Sequence, residues 1–288
     1  MNTDRDEAFP ALLSDLLDDA AAVPPSDTPL AAAVVGYRRH RQHPLGDALR
    51  CVLCPDSGLP GLPAVLGEQL TDQESLPLGL VVTGGAGAIR PALTWLARTE
   101  RLAVRALHLR LRDEIDLARN VTRVALALDD VDTLDDVPVA VEVPWLDGWQ
   151  RALDAIAEAG YLATLRLASP EECLPERDVA SFLLGCLDRE VPFTCAGLDA
   201  AIRRAGPGGR ERHGILNLLL ATRAALDGAG LDDIAQLVAE RDTETVVSRL
   251  RQLDHAAVRS TRRWVTSCSS PRVSETLRDL VATRFGKD

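Results

Sequence analysis

Between Val137 and Ser169 the chain changes its hydrophobic period twice. In VPVAVEVPW, Val139, Val141 and Val143 alternate with Ala140 and Glu142, the period of two expected of a half-buried strand. LDGWQRALDAIAEAG then places Trp149, Leu153, Ile156 and Ala157 on one helical stripe, with Asp147 and Gln150 spaced as a capping box and Gly160 as the stop. YLATLRLAS returns to a period of two. A strand, a helix and a second, parallel strand joined by a right-handed crossover are predicted.

The rest of the chain extends this unit. Phe9, Leu12, Leu13, Leu16 and Leu17 stand at helical spacing before PPSDTP breaks the pattern, predicting a leading helix and linker over 1–27. LAAAVVGY (30–37) and LRCVLCP (49–55) predict short buried strands. The polar RRHRQHPLGDA between them is too short for a crossover helix, so the first βα unit is irregular, with loop or one helical turn after Tyr37. Further strands are expected at 78–84, 104–111, 191–198 and 263–269, and extra helices at about 230–255 interrupt the alternation before the last. Strand starts near 31, 49, 78, 104, 137, 162, 191 and 263 predict an α/β fold, a (β/α)8 TIM-like barrel, with residues 30–288 as a single barrel domain. A doubly wound sheet would make its strands apolar on both faces. Here His108, Arg110, Glu142 and Arg166 alternate with Val and Leu, which fits a barrel with a polar inside.

Composition narrows the chemistry. A net charge of −11 disfavours nucleic acid and anionic membrane as partners, because both need a basic footprint. The N-terminus lacks a basic and apolar leader and no apolar run reaches membrane-span length, so a cytoplasmic protein is expected. The 6 cysteines lie mostly within apolar patterns, as suits a reducing compartment. Cys51 and Cys54 have C-x-x-C spacing, but three residues along a strand turn their side chains to opposite faces. Lysine is the informative absence. Lys287 is the only one, so no internal Schiff base can form, which removes lysine aldolases and pyridoxal-phosphate enzymes. No cofactor fingerprint is present, no cofactor is expected, and no metal site is assigned; Asp56, His108 and Glu142 are the best set a metal would find.

Barrel sites lie at the C-terminal ends of the strands. Collected there are Arg38 to Arg41 and His43 from the first loop, then His108, Arg110, Glu142, Arg166 and Thr194, with His213 at the next helix start. Glu142 and Arg166 should face inward on adjacent strands within ion-pair reach, either to neutralise one another or to act as general base and anion clamp. His108 is the rival acid or base. The GPGGR loop offers Gly208 and Gly209 amides and Arg210 to a phosphate. Ser267 and Cys268 are candidate nucleophiles without an elbow motif.

FTCAGLDAAIRR, HGILNLLLATRAAL and TSCSS, in the last third of the chain, resemble segments of an uncharacterised bacterial (β/α)8-barrel family. The resemblance implies a barrel of unassigned chemistry. It also implies a lysine at the place of Thr194 and a histidine pair at Asp199 and Ala200, so this chain departs from the family at reactive positions. The leading expectation is a cytosolic lyase- or isomerase-like enzyme for a small carboxylated or phosphorylated metabolite, without Schiff-base chemistry. The alternative is a catalytically degenerate barrel serving as a ligand-binding or protein-interaction scaffold.

Overall fold

The structure, a computed structural model, describes residues 3–26, 28–112, 115–129, 136–167 and 173–285. Eight strands close a barrel in which every neighbouring pair is parallel. They are β1 (Leu17–Asp19), β2 (Leu49–Pro55), β3 (Leu76–Val82), β4 (Leu102–Arg110), β5 (Val139–Glu142), β6 (Leu162–Arg166), β7 (Phe193–Ala196) and β10 (Val265–Ser270). A two-stranded antiparallel ribbon of β8 (Arg204–Ala205) and β9 (Glu211–Arg212) follows β7. The helices are α1 (Thr3–Leu13), α2 (Leu30–His40), α3 (Leu62–Gln69), α4 (Ala86–Ala97), α5 (Leu117–Leu128), α6 (Trp149–Glu158), α7 (Glu176–Asp188), α8 (Ile215–Leu226), α9 (Leu231–Ala239), α10 (Thr243–Arg251), α11 (His255–Trp264) and α12 (Val273–Phe285).

The (β/α)8 architecture is as expected, but its first strand is not. Residues 30–37 form part of α2, burying Ala33, Val34 and Tyr37 on one helical face and leaving Val35 exposed. An eight-residue apolar run fits both periods, and three successive alanines favour the helix. The strand lies instead inside the expected leading helix. Asp15 adopts a left-handed conformation (φ 52°) that ends the helical path, so Leu12 and Leu13 pack from α1 while Leu16 and Leu17 pack from the strand side. β1 then pairs with β10 on one side and β2 on the other. Residues 41–48, turns that end in a single 3-10 turn (Gly46–Ala48), separate α2 from β2.

The central unit forms as β5, α6 and β6, though positions 168 and 169 of its second predicted strand lie outside the described residues. Its expected capping box does not form, because Gly148 with φ 87° is the N-cap and no side chain caps the helix. Gly160 does stop it, at φ 68°. Val141, Ala163, Leu165, Phe193, Cys195 and Cys268 face outward into one aliphatic layer shared with Leu153, Ile156 and Phe182 of the helices. Cys51 and Cys54 separate as expected, Cys51 into a small cluster with Ala20 and Leu53 and Cys54 into the outer layer.

Four helices, α8 to α11, fill the interval between β7 and β10. Asn217 ties them to the chain after β7. Its buried side chain accepts from the Arg203 amide at 2.8 Å and donates to the carbonyls of Leu237 (2.9 Å) and Glu240 (2.8 Å). Asn217→Leu strands these three backbone groups, each at about 1–3 kcal/mol, so a loss of at least about 3 kcal/mol is expected in urea denaturation. A change below about 1 kcal/mol would show that Asn217 is not the clamp.

Candidate functional site

Alternation along each strand decides what enters the barrel. While most strand aliphatic side chains turn outward, His108, Arg110, Ala140, Glu142, Thr164, Arg166, Thr194, Ala196, Ser267 and Ser269, with Leu53 and Val81, line a cavity of about 870 Å³ at the C-terminal strand ends. The loops after β1, β7 and β10 complete its walls, contributing Val23 to Ser26, Asp199, Arg210 to Arg212, and Arg272.

Two arginine–carboxylate groups hold the rim. Arg166 donates from Nε to Glu142 Oε1 at 2.8 Å and from Nη2 to Oε2 at 2.6 Å, a parallel fork. Arg110, whose Cα is the register partner of Glu142, brings Nε to 3.4 Å from the same Oε1. Burial alone would lower the Arg166 pKa, but its bonds and charge interaction with Glu142 more than reverse this and raise it. On the other side, Asp199 pairs with Arg272 and lies 3.4 Å from Arg212 Nη1.

The floor carries a buried pair that the sequence reading missed. Arg50 donates to both oxygens of Asp18, at 2.7 and 2.8 Å, and the Cys51 thiol donates to Asp18 Oδ1 at 3.0 Å. Burial pushes the Asp18 pKa up, yet the Arg50 charge and hydrogen bonds outweigh it and hold the carboxyl below its usual range. The available signal was an acidic pair, Asp18 and Asp19, set between Leu16–Leu17 and an alanine run, together with an arginine inside an apolar strand.

His108 stands between floor and rim. Burial drives its pKa down to about 4, Arg50 adds to the effect, and Asp18 and Glu142 oppose it, so the imidazole is neutral at pH 7. Its Nε2 is buried without a hydrogen-bond partner, as is the Ser267 hydroxyl. Thr194 shares a 2.7 Å hydrogen bond with Thr164.

Of the expected site residues, the structure thus gathers Glu142, His108, Arg166, Arg110, Thr194 and Arg210 around one cavity. Gly208 and Gly209 are not there. They are exposed at the ribbon tip with φ of 75° and 76°, and the Gly209 amide already donates to the Gly206 carbonyl. Arg38 to His43 also lie away from the cavity, because they end α2 and lead to the start of β2; Arg41, for example, donates to the Gly46 and Leu49 carbonyls. His213 has both ring nitrogens engaged, with the Leu174 carbonyl at 2.7 Å and Arg203 at 3.0 Å. Cys268 faces the outer layer and burial raises its thiol pKa to about 12, so it is no nucleophile. Asp56 is bonded to Thr83, and among the described residues no three His, Cys, Asp or Glu side chains cluster as metal ligands. Asp199 and Arg272, on loops, and Arg212, on the two-residue β9, joined the site through geometry that carries no periodic signal.

Fold and cavity together define a closed (β/α)8 barrel with an arginine-ringed mouth. No protein-family model matches the chain, and no curated protein matches it either; the barrel implied by the resemblance in its last third is nevertheless the architecture found. Among solved structures the chain is similar to a variant of Rhizobium etli pyruvate carboxylase with the allosteric activator acetyl coenzyme A, at 12% identity and a TM-score of 0.42. That match covers 98% of this chain and 26% of the other, so the present chain spans about a quarter of the length of that protein. No helix among the described residues is long and apolar enough to cross a membrane.

The buried neutral His108 makes stability pH-dependent. Its folded pKa is depressed, so between pH 6.5 and about 4 the unfolded chain binds a proton that the folded chain refuses. The contribution is complete above pH 6.5 and is lost as pH falls, by up to about 3 kcal/mol. His213, also lowered by burial, adds to the same slope. Urea denaturation from pH 7 to 4.5 should therefore show a shallower decline for His108→Gln than for the wild type. Parallel curves would mean that His108 is not held neutral.

Proposed function

We propose that this protein is a cytosolic barrel enzyme, of lyase or isomerase type, acting on a small carboxylated or phosphorylated metabolite without Schiff-base chemistry. One observation carries the reading. Five arginines (Arg110, Arg166, Arg210, Arg212, Arg272) and four carboxylates (Asp18, Glu142, Asp199, Glu211) line the cavity; Asp18 and Glu211 are paired outside that set by Arg50 and Arg241, while Glu275 reaches Arg212 and Arg272 from outside it, so Glu142, Asp199 and Glu275 leave 5 − 3 = 2 surplus positive charges on a chain of net charge −11. A positive concavity on an acidic protein concentrates anions, and guanidinium forks match carboxylate and phosphate.

The roles follow from the geometry. Arg166, with Arg110 beside it, is the anion clamp. A ligand anion that takes over part of the Arg166 fork frees a Glu142 oxygen to accept a proton, so binding and base activation are linked. Neutral His108 offers Nε2 to a substrate oxygen rather than acting as an imidazolium. A second reading, a binding barrel without turnover, is favoured by Thr194, whose hydroxyl is tied to Thr164 where the resemblance implies a lysine.

Titration calorimetry at low salt with inorganic phosphate and with malonate tests the clamp. Arg166→Lys keeps the charge and loses the fork, so affinity should drop tenfold or more, as expected when a hydrogen bond to a charged group contributes about 1.5–3 kcal/mol. Equal affinity in the wild type and Arg166→Ala would remove Arg166 from the site and put the scaffold reading ahead.

A further inference from the structure

Between the charged rim and the Asp18–Arg50 floor, one arc of the barrel wall carries hydroxyls. Thr164 is the register partner of Thr194, and Thr194 of Ser267, so three neighbouring strands (β6, β7 and β10) present hydroxyls side by side into the cavity. All three are buried, at 4%, 3% and 0% exposure. Ser269 continues the arc, and its register partner on β1 is Asp18.

These hydroxyls are not used up by the protein. The Thr164 and Thr194 oxygens share one hydrogen bond, and two hydroxyls carry two hydrogens, so one O–H is left over. Ser267 has no partner at all. In the barrel order, β4 lies four of eight strands away from β10, so His108, whose Nε2 has no partner, lines the cavity from the opposite wall. Buried polar groups are ordinarily paired, and the residues that carry these three line one cavity whose apolar lining includes Leu53, Val81, Ala140 and Ala196. Arg166 lies two residues beyond Thr164 on β6, about 7 Å at the strand rise.

We infer that the Thr164–Thr194–Ser267 arc and His108 bind the hydroxylated carbon chain of the ligand, making it a hydroxy acid or sugar-phosphate-like molecule rather than a bare carboxylate or phosphate. This rests on the anion reading of the mouth. Matched probes separate the two: glycerol 3-phosphate against propyl phosphate, and glycerate against propionate, each by titration calorimetry at low salt. The hydroxylated member of at least one pair should bind tenfold or more tightly than its bare partner, and the pair that responds tells phosphate from carboxylate. Ser267→Ala and Thr194→Val should each shrink that advantage by roughly fivefold or more while leaving affinity for the bare anion unchanged. Because Ser267 has no protein partner, Ser267→Ala should also unfold at the same or higher urea concentration, so loss of binding would not reflect loss of fold. Equal affinity within both pairs overturns the hydroxyl inference and leaves the anion clamp standing. A bare anion bound as well by Arg166→Ala as by wild type overturns the clamp alone, and failure of all four probes to bind overturns both.

Discussion

A closed parallel barrel turns alternate side chains of every strand inward, so a charge placed there must find its counter-charge inside the same barrel. Two bidentate pairs satisfy that constraint here, Asp18 with Arg50 at the floor and Glu142 with Arg166 at the mouth. Neither carboxylate has a cheap alternative. Asp18 is fully buried, and removing one partner of such a pair leaves an uncompensated charge at a cost of about 3–5 kcal/mol. β1 is only three residues long, yet it closes the ring between β10 and β2 while delivering Asp18 to its partner. Barrel closure and floor chemistry are therefore one problem with one solution.

From floor to mouth the interior changes character in layers. The ion-paired base lies against neutral groups, His108 and the threonine and serine hydroxyls, and above these stand the arginines of the rim. The low pKa of His108 belongs to this order, since an imidazolium beside buried Arg50 would be opposed both by desolvation and by like charge. The near absence of lysine pushes the rim the same way. With Lys287 as the sole lysine, the basic side chains of the rim are guanidinium groups with their fixed geometry.

The sequence disclosed what obeys a period and hid what depends on closure. β5, α6 and β6 were legible because their periods of two and 3.6 are clean, and the same alternation placed Glu142, Arg166, His108 and Arg110 on inward faces. The first strand was not legible. Leu17–Asp19 contains no β-branched residue, is strand-like only because β2 and β10 flank it, and sits in register with helical leucine spacing. Residues 30–37 erred in the opposite direction, an apolar run short enough for a strand and alanine-rich enough for a helix. Asp199 and Arg272 reach the rim from loops and Arg212 from the short strand β9, and Gly208 and Gly209 leave it because the ribbon tip turns outward. Loop direction is set by tertiary packing, which no local pattern encodes.

Glu142 has two opposed effects on the mouth. Its carboxylate competes with any ligand anion for Arg166, which lowers intrinsic affinity. It also holds a long side chain with many rotamers in one orientation, so part of the ordering cost of a binding fork is met before the ligand arrives. Which effect dominates depends on what else the ligand touches. A bare anion exchanges one carboxylate for another on the same fork and gains only what the surplus positive charge of the mouth adds. A ligand whose chain also reaches His108 and the hydroxyl arc adds bonds that Glu142 cannot supply, and those bonds carry the balance toward binding. In the proposed binding mode, selectivity resides below the arginines, in neutral groups that a ligand lacking hydroxyls would leave buried and unpaired.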